Sequence, residues 1–404
     1  VTGAADDDPS GIATYSIAGA QFGTAFLWTA PFTWPLMAAV QSMCARIGMV
    51  TGQGIMSALR LKFPRPLLAV VCAALFLANT LNIGANLAAM ADAAELLTGI
   101  TSRLWILLFA GGITWATVQL RYAHVARVLK WLTLALLAYV VAAFQMDPDW
   151  HSVWLAVRAP SVPDGTPIGA SGWATLVAIL GTTISPYLFF WQASQEVEEE
   201  KGTGRITRPS RLGATVSELR WRKIDVGIGT FMSNAVMFFI MLTTALTLHT
   251  QGITELTTSR EVAEALRPLA GEFATLLYTV GLIGTGALAI PTLAGSAAYA
   301  SAELFNWRQG MDETFHRAPA FYAAIMLSLV LGVSMEYADV NVLQALYWTA
   351  VLNGLLAPFL LVGIVMVASD RIIMHGQPSS LLGRAVVWLT TLLMIAAAFG
   401  MAVV

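Results

Sequence analysis

The chain has 404 residues, 57% hydrophobic and only 11% charged, with a formal net charge of −2 and a mean hydropathy of +0.69. A soluble protein carries about 25% charged residues, so a soluble globular protein is excluded and a polytopic helical protein with the lipid bilayer as its partner is expected. Nothing in the charge points to nucleic acid, and Cys44 and Cys72 show neither metal-knuckle nor disulfide spacing.

At the head of the chain, Asp6-Asp7-Asp8-Pro9-Ser10-Gly11 sets three carboxylates against a proline in otherwise apolar sequence. Charge is costly in hydrocarbon and proline interrupts a helix, so this is a broken first span running to about residue 20. Val1 to Ala5 are too few for the apolar core of a signal peptide. With the acidic cluster at mid-depth, the first half of span 1 lies outside this chain.

Apolar runs place span 2 at about 23–45, span 3 at 67–97, span 4 at 103–120 and span 5 at 126–146. Span 6 follows at 172–196, span 7 at 224–248, span 8 at 271–303, span 9 at 318–335, span 10 at 341–368 and span 11 at 383–403. With the N-terminus cytoplasmic, the inner loops 46–66, 121–130, 197–223, 304–317 and 369–384 hold 18 of the 22 Lys and Arg. The outer side keeps Arg103, Arg158, Arg260 and Arg267. Positive residues stay inside, which supports that orientation in a plasma (inner) membrane and the count of eleven.

Asp8-Pro9 breaks span 1 and Ser185-Pro186 breaks span 6. Five crossings separate the two breaks, so the halves have opposite orientation, as in secondary transporters built on inverted repeats. The expected divisions are a first repeat over 1–146, an extracellular loop over 147–171, a second repeat over 172–368, and a loop with the last helix over 369–404.

The chemistry gathers at the breaks. Span 1 offers Asp6, Asp7, Asp8, Gly11, Thr14 and Tyr15; span 6 offers Gly181-Thr182-Thr183-Ile184-Ser185-Pro186-Tyr187. Irregular backbone persists at this depth where it lines a cavity. Carboxylate, carbonyl and hydroxyl oxygens are hard ligands, suited to Mg²⁺, Mn²⁺ or Ca²⁺. The plain alternative is capping, because Asp8 or Ser185 before a proline at the first helical position is ordinary helix-start chemistry. The two readings are compatible.

At these residues the chain resembles the Nramp (natural resistance-associated macrophage protein) family of divalent metal transporters. Gly19-Ala20-Gln21-Phe22-Gly23 and Ala45-Arg46-Ile47-Gly48-Met49-Val50-Thr51-Gly52 are further local matches. The family pattern Asp-Pro-Gly-Asn meets Asp8-Pro9-Ser10-Gly11 here, so the resemblance implies Asp8 as metal-binding aspartate while Gly11 replaces the asparagine ligand. The family's Ala-x-x-Met-Pro-His meets Thr182-Thr183-Ile184-Ser185-Pro186-Tyr187. The Thr182 carbonyl is kept, but Ser185 stands where a soft thioether filters for transition metals. Proton coupling is also weakened, since Tyr187 replaces the family histidine and Asn86 and Ala89 fall where span 3 carries Asp and Glu. These departures resemble the Nramp-related magnesium transporters, which move a partly hydrated ion without obligatory proton symport.

Asn79, Asn82 and Asn86 share one face of span 3 by their spacing. Asn82 and Asn86 are expected along the ion's path with Tyr187 and Asn353, and Asn79 in an interhelical hydrogen bond. Gln192, Gln195, Glu196 and Glu198 to Glu200 are expected as a solvated run ending span 6. No phosphate loop, nucleophile elbow or zinc motif is present.

The reading is an all-α membrane protein with a LeuT-like five-plus-five inverted repeat and an eleventh helix, helices 1 and 6 broken. It is a monomeric importer of hard divalent cations by alternating access and not an enzyme. The metal is its substrate, and no resident cofactor is expected. Ligands are expected from Asp8, Thr182, Ser185, Gly11 and Asp7. Two rivals stand beside it: an amino-acid or other organic-solute symporter of the same fold, and a metal-responsive channel or sensor.

Overall fold

Pro9 opens the first helix because its ring presets a helical φ and its missing N–H is not needed at that position. Asp8, in extended backbone, caps that start with its side chain. The computed structural model describes residues 7–119, 131, 133–158, 169–335 and 341–403. Among them the regular structure is helical throughout.

The helices are α1 (Pro9–Phe22), α2 (Thr29–Thr51), α3 (Arg65–Thr98), α4 (Ser102–Gln119) and α5 (Leu137–Gln145). Then come α6 (Ala170–Thr183), α7 (Pro186–Gly202), α8 (Val216–Thr247), α9 (Ala274–Phe305), α10 (Pro319–Ser334), α11 (Val342–Ser369) and α12 (Leu381–Val403). The pair α6 and α7 is the sixth span, interrupted where Ile184 (φ −115°, ψ 60°) and Ser185 (φ −77°, ψ 131°) leave helical geometry. All eleven spans thus have helices at their places, although the start of span 5 (126–130 and 132) and Asp6 lie outside the described residues. Among the described residues, six helical stretches are long and apolar enough to cross a membrane: α3, α6 with α7, α8, α9, α11 and α12.

Three expected boundaries shift, each for a local reason. Span 2 is displaced to Thr29–Thr51 because Gly23 (φ 58°) ends α1 and the chain turns through residue 28. Gly52 then closes α2 in the left-handed region, its N–H bonding the Gly48 carbonyl at 2.9 Å. Span 7 starts at Val216 because Thr215 and Glu218 form a reciprocal capping box. Span 6 continues to Gly202, so its glutamates are helical rather than a terminal tail.

Burial separates the core from the rim. In the most apolar stretch of the sixth span 89% of residues are buried, against 28% in α12, which puts the broken span at the centre and the last helix at the edge. The most extensive interface runs between α3 and α9, followed by that between α6 and α11. The second is a backbone contact: a Cβ on Gly181 would lie 2.1 Å from the Ala350 carbonyl oxygen and 2.3 Å from the Gly354 nitrogen. Small residues allow such approach where lipid offers no hydrophobic drive to pack helices.

Candidate metal centre

Asp8 is 1% exposed, and its two carboxylate oxygens have different surroundings. Oδ1 accepts the Gly11 backbone N–H at 2.9 Å and the Ser10 hydroxyl at 2.6 Å. These are the capping bonds, tight and local. Oδ2 receives the carboxamide Nδ2 of Asn86 at 3.3 Å and of Asn82 at 3.4 Å, both from α3. These contacts are long for N–H···O bonds, which centre near 2.9–3.0 Å. Among the described residues no Lys or Arg pairs with Asp8.

The second break supplies carbonyls. Pro186 has no N–H, so the Thr182 carbonyl loses its helical donor. Ser185 compensates: its hydroxyl donates to Thr182 O at 2.6 Å, with Gly181 O at 2.8 Å. The expectation of a Ser185 hydroxyl free for an ion is therefore modified, since its proton is turned back on its own chain and only its lone pairs remain. The Thr182 carbonyl keeps one accepting direction.

Two links join the halves. The Tyr15 hydroxyl on α1 lies 3.3 Å from the Thr183 hydroxyl on α6. The other runs through α11, where Thr349 donates to Asn82 Oδ1 at 3.4 Å. Its neighbour Ala350 presents the carbonyl that abuts Gly181. So Asp8, Gly11, Asn82 and Asn86 form one group and Thr182 and Ser185 a second, and α11 touches Asn82 of the first through Thr349 and Gly181, beside the second, through Ala350.

The other expected site residues are placed as follows. Asp7 is buried and accepts the Ser233 hydroxyl of α8 at 2.9 Å, turning away from the asparagines around Asp8. Asn353 is buried on α11 with its Oδ1 unpartnered. Tyr187 sits in the apolar cluster that contains Trp191 and Leu293. Asn79 makes the expected interhelical bond, donating to Leu293 O on α9 at 2.9 Å. Ser10, Thr349 and Ser233 were not foreseen. Ser10 carried a signal in its spacing of two from a capping aspartate; the other two carried none.

The glutamate run is solvated at Glu199 but not at Glu196 or Glu200. Glu196 is 2% exposed and pairs with Arg222 of α8 at 2.9 Å. Arg222 also meets Glu199, and Asp225 at 3.0 Å. Arg205 bridges Glu218 at 2.7 Å and Glu200 at 3.5 Å. Together they line a cavity of about 460 Å³ at the end of α7. The acids were misread because their partners lie in the next loop and span. Beyond the membrane, Asp370 is held below the usual carboxylate range by the Ile373 N–H, then Lys62, then the Ile372 N–H.

Among the described residues, no group of three or more His, Cys, Asp or Glu is placed to hold a metal. What the centre offers is one carboxylate with neutral carboxamide, carbonyl and hydroxyl oxygens. That is a hard donor set.

Comparison with known proteins agrees with this architecture. The family described as "Natural resistance-associated macrophage protein-like" (Nramp) matches residues 1–403. The Divalent metal cation transporter MntH of Aeromonas hydrophila is 24% identical over 364 residues, covering 86% of this chain and 84% of the relative. The protein of that name from Yersinia pestis is 27% identical over 298 residues, 71% of this chain and 68% of the relative. Among solved structures, the Eremococcus coleocola manganese transporter superposes with a TM-score of 0.73 at 17% identity, covering 98% of this chain and 83% of that one. Inward-facing Mhp1 follows with a TM-score of 0.53 at 15% identity, covering 97% of this chain and 88% of that one. These two likenesses speak for the fold: five helices, five inverted helices, and an eleventh.

Proposed function

Because the chain belongs to the Nramp family, we propose that this multi-pass membrane transporter of divalent metal cations imports hard ions of the Mn²⁺ and Mg²⁺ kind by alternating access, with Asp8 as the charged ligand. The observation that carries the reading is Asp8 itself: a buried carboxylate at a helix break with no Lys or Arg partner among the described residues. An ionised carboxylate in the membrane interior needs a positive charge. A divalent cation supplies it.

In this reading the ion meets Asp8 Oδ2, the remaining accepting direction of the Thr182 carbonyl, and water at Ser185 and Gly11, with Asp7 lending outer-sphere charge. Asn82, Asn86, Tyr187 and Asn353 border its path. The inverted repeats, taken as 1–146 and 172–368, move against each other about the two breaks, opening the ion alternately to each side. Proton coupling is weak or absent, because Tyr187, Asn86 and Ala89 cannot exchange protons near neutral pH. The N-terminus faces the cytoplasm of a plasma (inner) membrane, and the protein works as a monomer.

Uptake into proteoliposomes with Mg²⁺, Mn²⁺, Fe²⁺, Cd²⁺ and Ca²⁺ outside and a pH dye inside tests this. Saturable Mn²⁺ and Mg²⁺ flux without acidification is expected. Uptake of labelled amino acids in place of metal would defeat the proposal, as would acidification in step with metal entry for the uncoupled part of it.

A second expected outcome concerns selectivity. Ser185→Met restores a soft sulfur and removes the hydroxyl that occupies the Gly181 and Thr182 carbonyls. The ratio of Cd²⁺ to Mg²⁺ affinity should rise roughly tenfold, about 1.4 kcal/mol. Competition of each ion against Mn²⁺ uptake measures it, and an unaltered ratio places Ser185 away from the ion.

A further inference from the structure

Asn86 has a buried carboxamide with one end committed and the other idle. The residue is 0% exposed. Its Nδ2 donates to Asp8 Oδ2 at 3.3 Å, while its Oδ1 has no hydrogen-bond partner. Leaving a buried carbonyl oxygen unsatisfied is costly, so its place beside the carboxylate calls for a reason. The neighbouring Asn82 differs in having a hydroxyl at its Oδ1, that of Thr349 at 3.4 Å, which shares its proton with the nearer Leu346 O at 2.7 Å.

We infer that Asn86 is a direct ligand of the transported cation through Oδ1, and that its amide swivels between two states. This rests on the reading of Asp8 as the charged ligand. In one state the NH₂ end donates to Asp8 Oδ2, as the 3.3 Å contact shows. When the ion arrives at Oδ2, an N–H donor aimed at the same oxygen is displaced by it. A half-turn about the Cβ–Cγ bond then brings Oδ1 to the metal, and no existing bond of Oδ1 is lost. Asn82 has the Thr349 hydroxyl beside its Oδ1, and it serves as the donor and positioning residue.

The spacing fits this exchange. Adjacent oxygens around an octahedral ion at about 2.1 Å lie about 3.0 Å apart, and around one at about 2.4 Å about 3.4 Å apart. The 3.3 Å between Asp8 Oδ2 and the Asn86 carboxamide falls in that interval. Gly11 offers no side chain, so α3 supplies from the opposite side a neutral oxygen that span 1 lacks.

Mn²⁺ binding to the purified full chain, followed by titration calorimetry, separates ligand from donor. Asn86→Leu keeps much of the volume but no oxygen, and should bind Mn²⁺ at least about tenfold more weakly, a loss that an outer-shell partner alone can cause. Asn86→Asp keeps an oxygen and loses every N–H, and should bind at least as tightly as the unaltered chain. Melting curves without metal check that both variants are folded. Unchanged binding by Asn86→Leu overturns the inference. So does Asn86→Asp binding as weakly as Asn86→Leu, which is the signature of a pure donor to Asp8. Asp8→Asn is the separate control: if it binds Mn²⁺ normally, the site reading itself fails, whatever Asn86 does.

Discussion

Asp8→Asn should reduce Mn²⁺ uptake in proteoliposomes to the level of empty vesicles while the protein stays folded. Asparagine caps a helix about as well as aspartate, so the Gly11 N–H and the start of α1 keep their partner. What disappears is the charge. Removing one member of a buried ion pair costs about 3–5 kcal/mol, which is more than about a hundredfold in affinity for the ion. Asp8→Ala should be equally inactive and lose about 1 kcal/mol more stability through the missing cap. The pair of variants separates the two meanings of this residue. If Asp8 is only a cap, Asp8→Asn transports normally and Asp8→Ala does not. Loss of transport in both, with Asp8→Asn melting close to the unaltered chain, is the result expected of a ligand.

The second large effect is expected at a contact between two helix backbones. In Gly181→Ala the new methyl group would lie 2.1 Å from the Ala350 carbonyl oxygen and 2.3 Å from the Gly354 nitrogen. Both are backbone atoms of α11 and cannot rotate aside as a side chain would. The helices must separate, and overpacking of this kind costs on the order of 3 kcal/mol. Because Thr349, one residue from the contact, holds Asn82 and through it Asp8, the displacement should reach the metal centre as well. A lower melting temperature together with weaker Mn²⁺ binding is expected. Gly111→Ala is the matched control, since nothing lies within 4 Å of the added methyl group. Equal stability of the two variants would mean that α6 and α11 do not meet through their backbones.

How much of this was legible beforehand depended on the range of the cause. The break at Asp8-Pro9 could be read because proline and charge act on their own helix. The capping box that moved the start of α8 was also local, and Thr215 and Glu218 could have been recognised by their spacing. The glutamates of α7 could not be read in that way. A charge run near a span end looks solvated unless its partner is known, and Arg222 lies 26 positions beyond Glu196 on another helix.

The sequence by itself determined the membrane class, the eleven spans, the two interrupted helices and the carboxylate at the first of them. Each follows from properties that a residue carries wherever it stands: apolarity, a missing N–H, a charge that lipid will not solvate. Only the tertiary structure decided which neutral groups surround that carboxylate. Asn86 is 78 positions from Asp8, and Thr349 is 267 from Asn82. Their meeting depends on how α1, α3, α6 and α11 pack. Helix spacing puts three asparagines on one face, but it does not say what that face meets, or which amide oxygen is left unpaired.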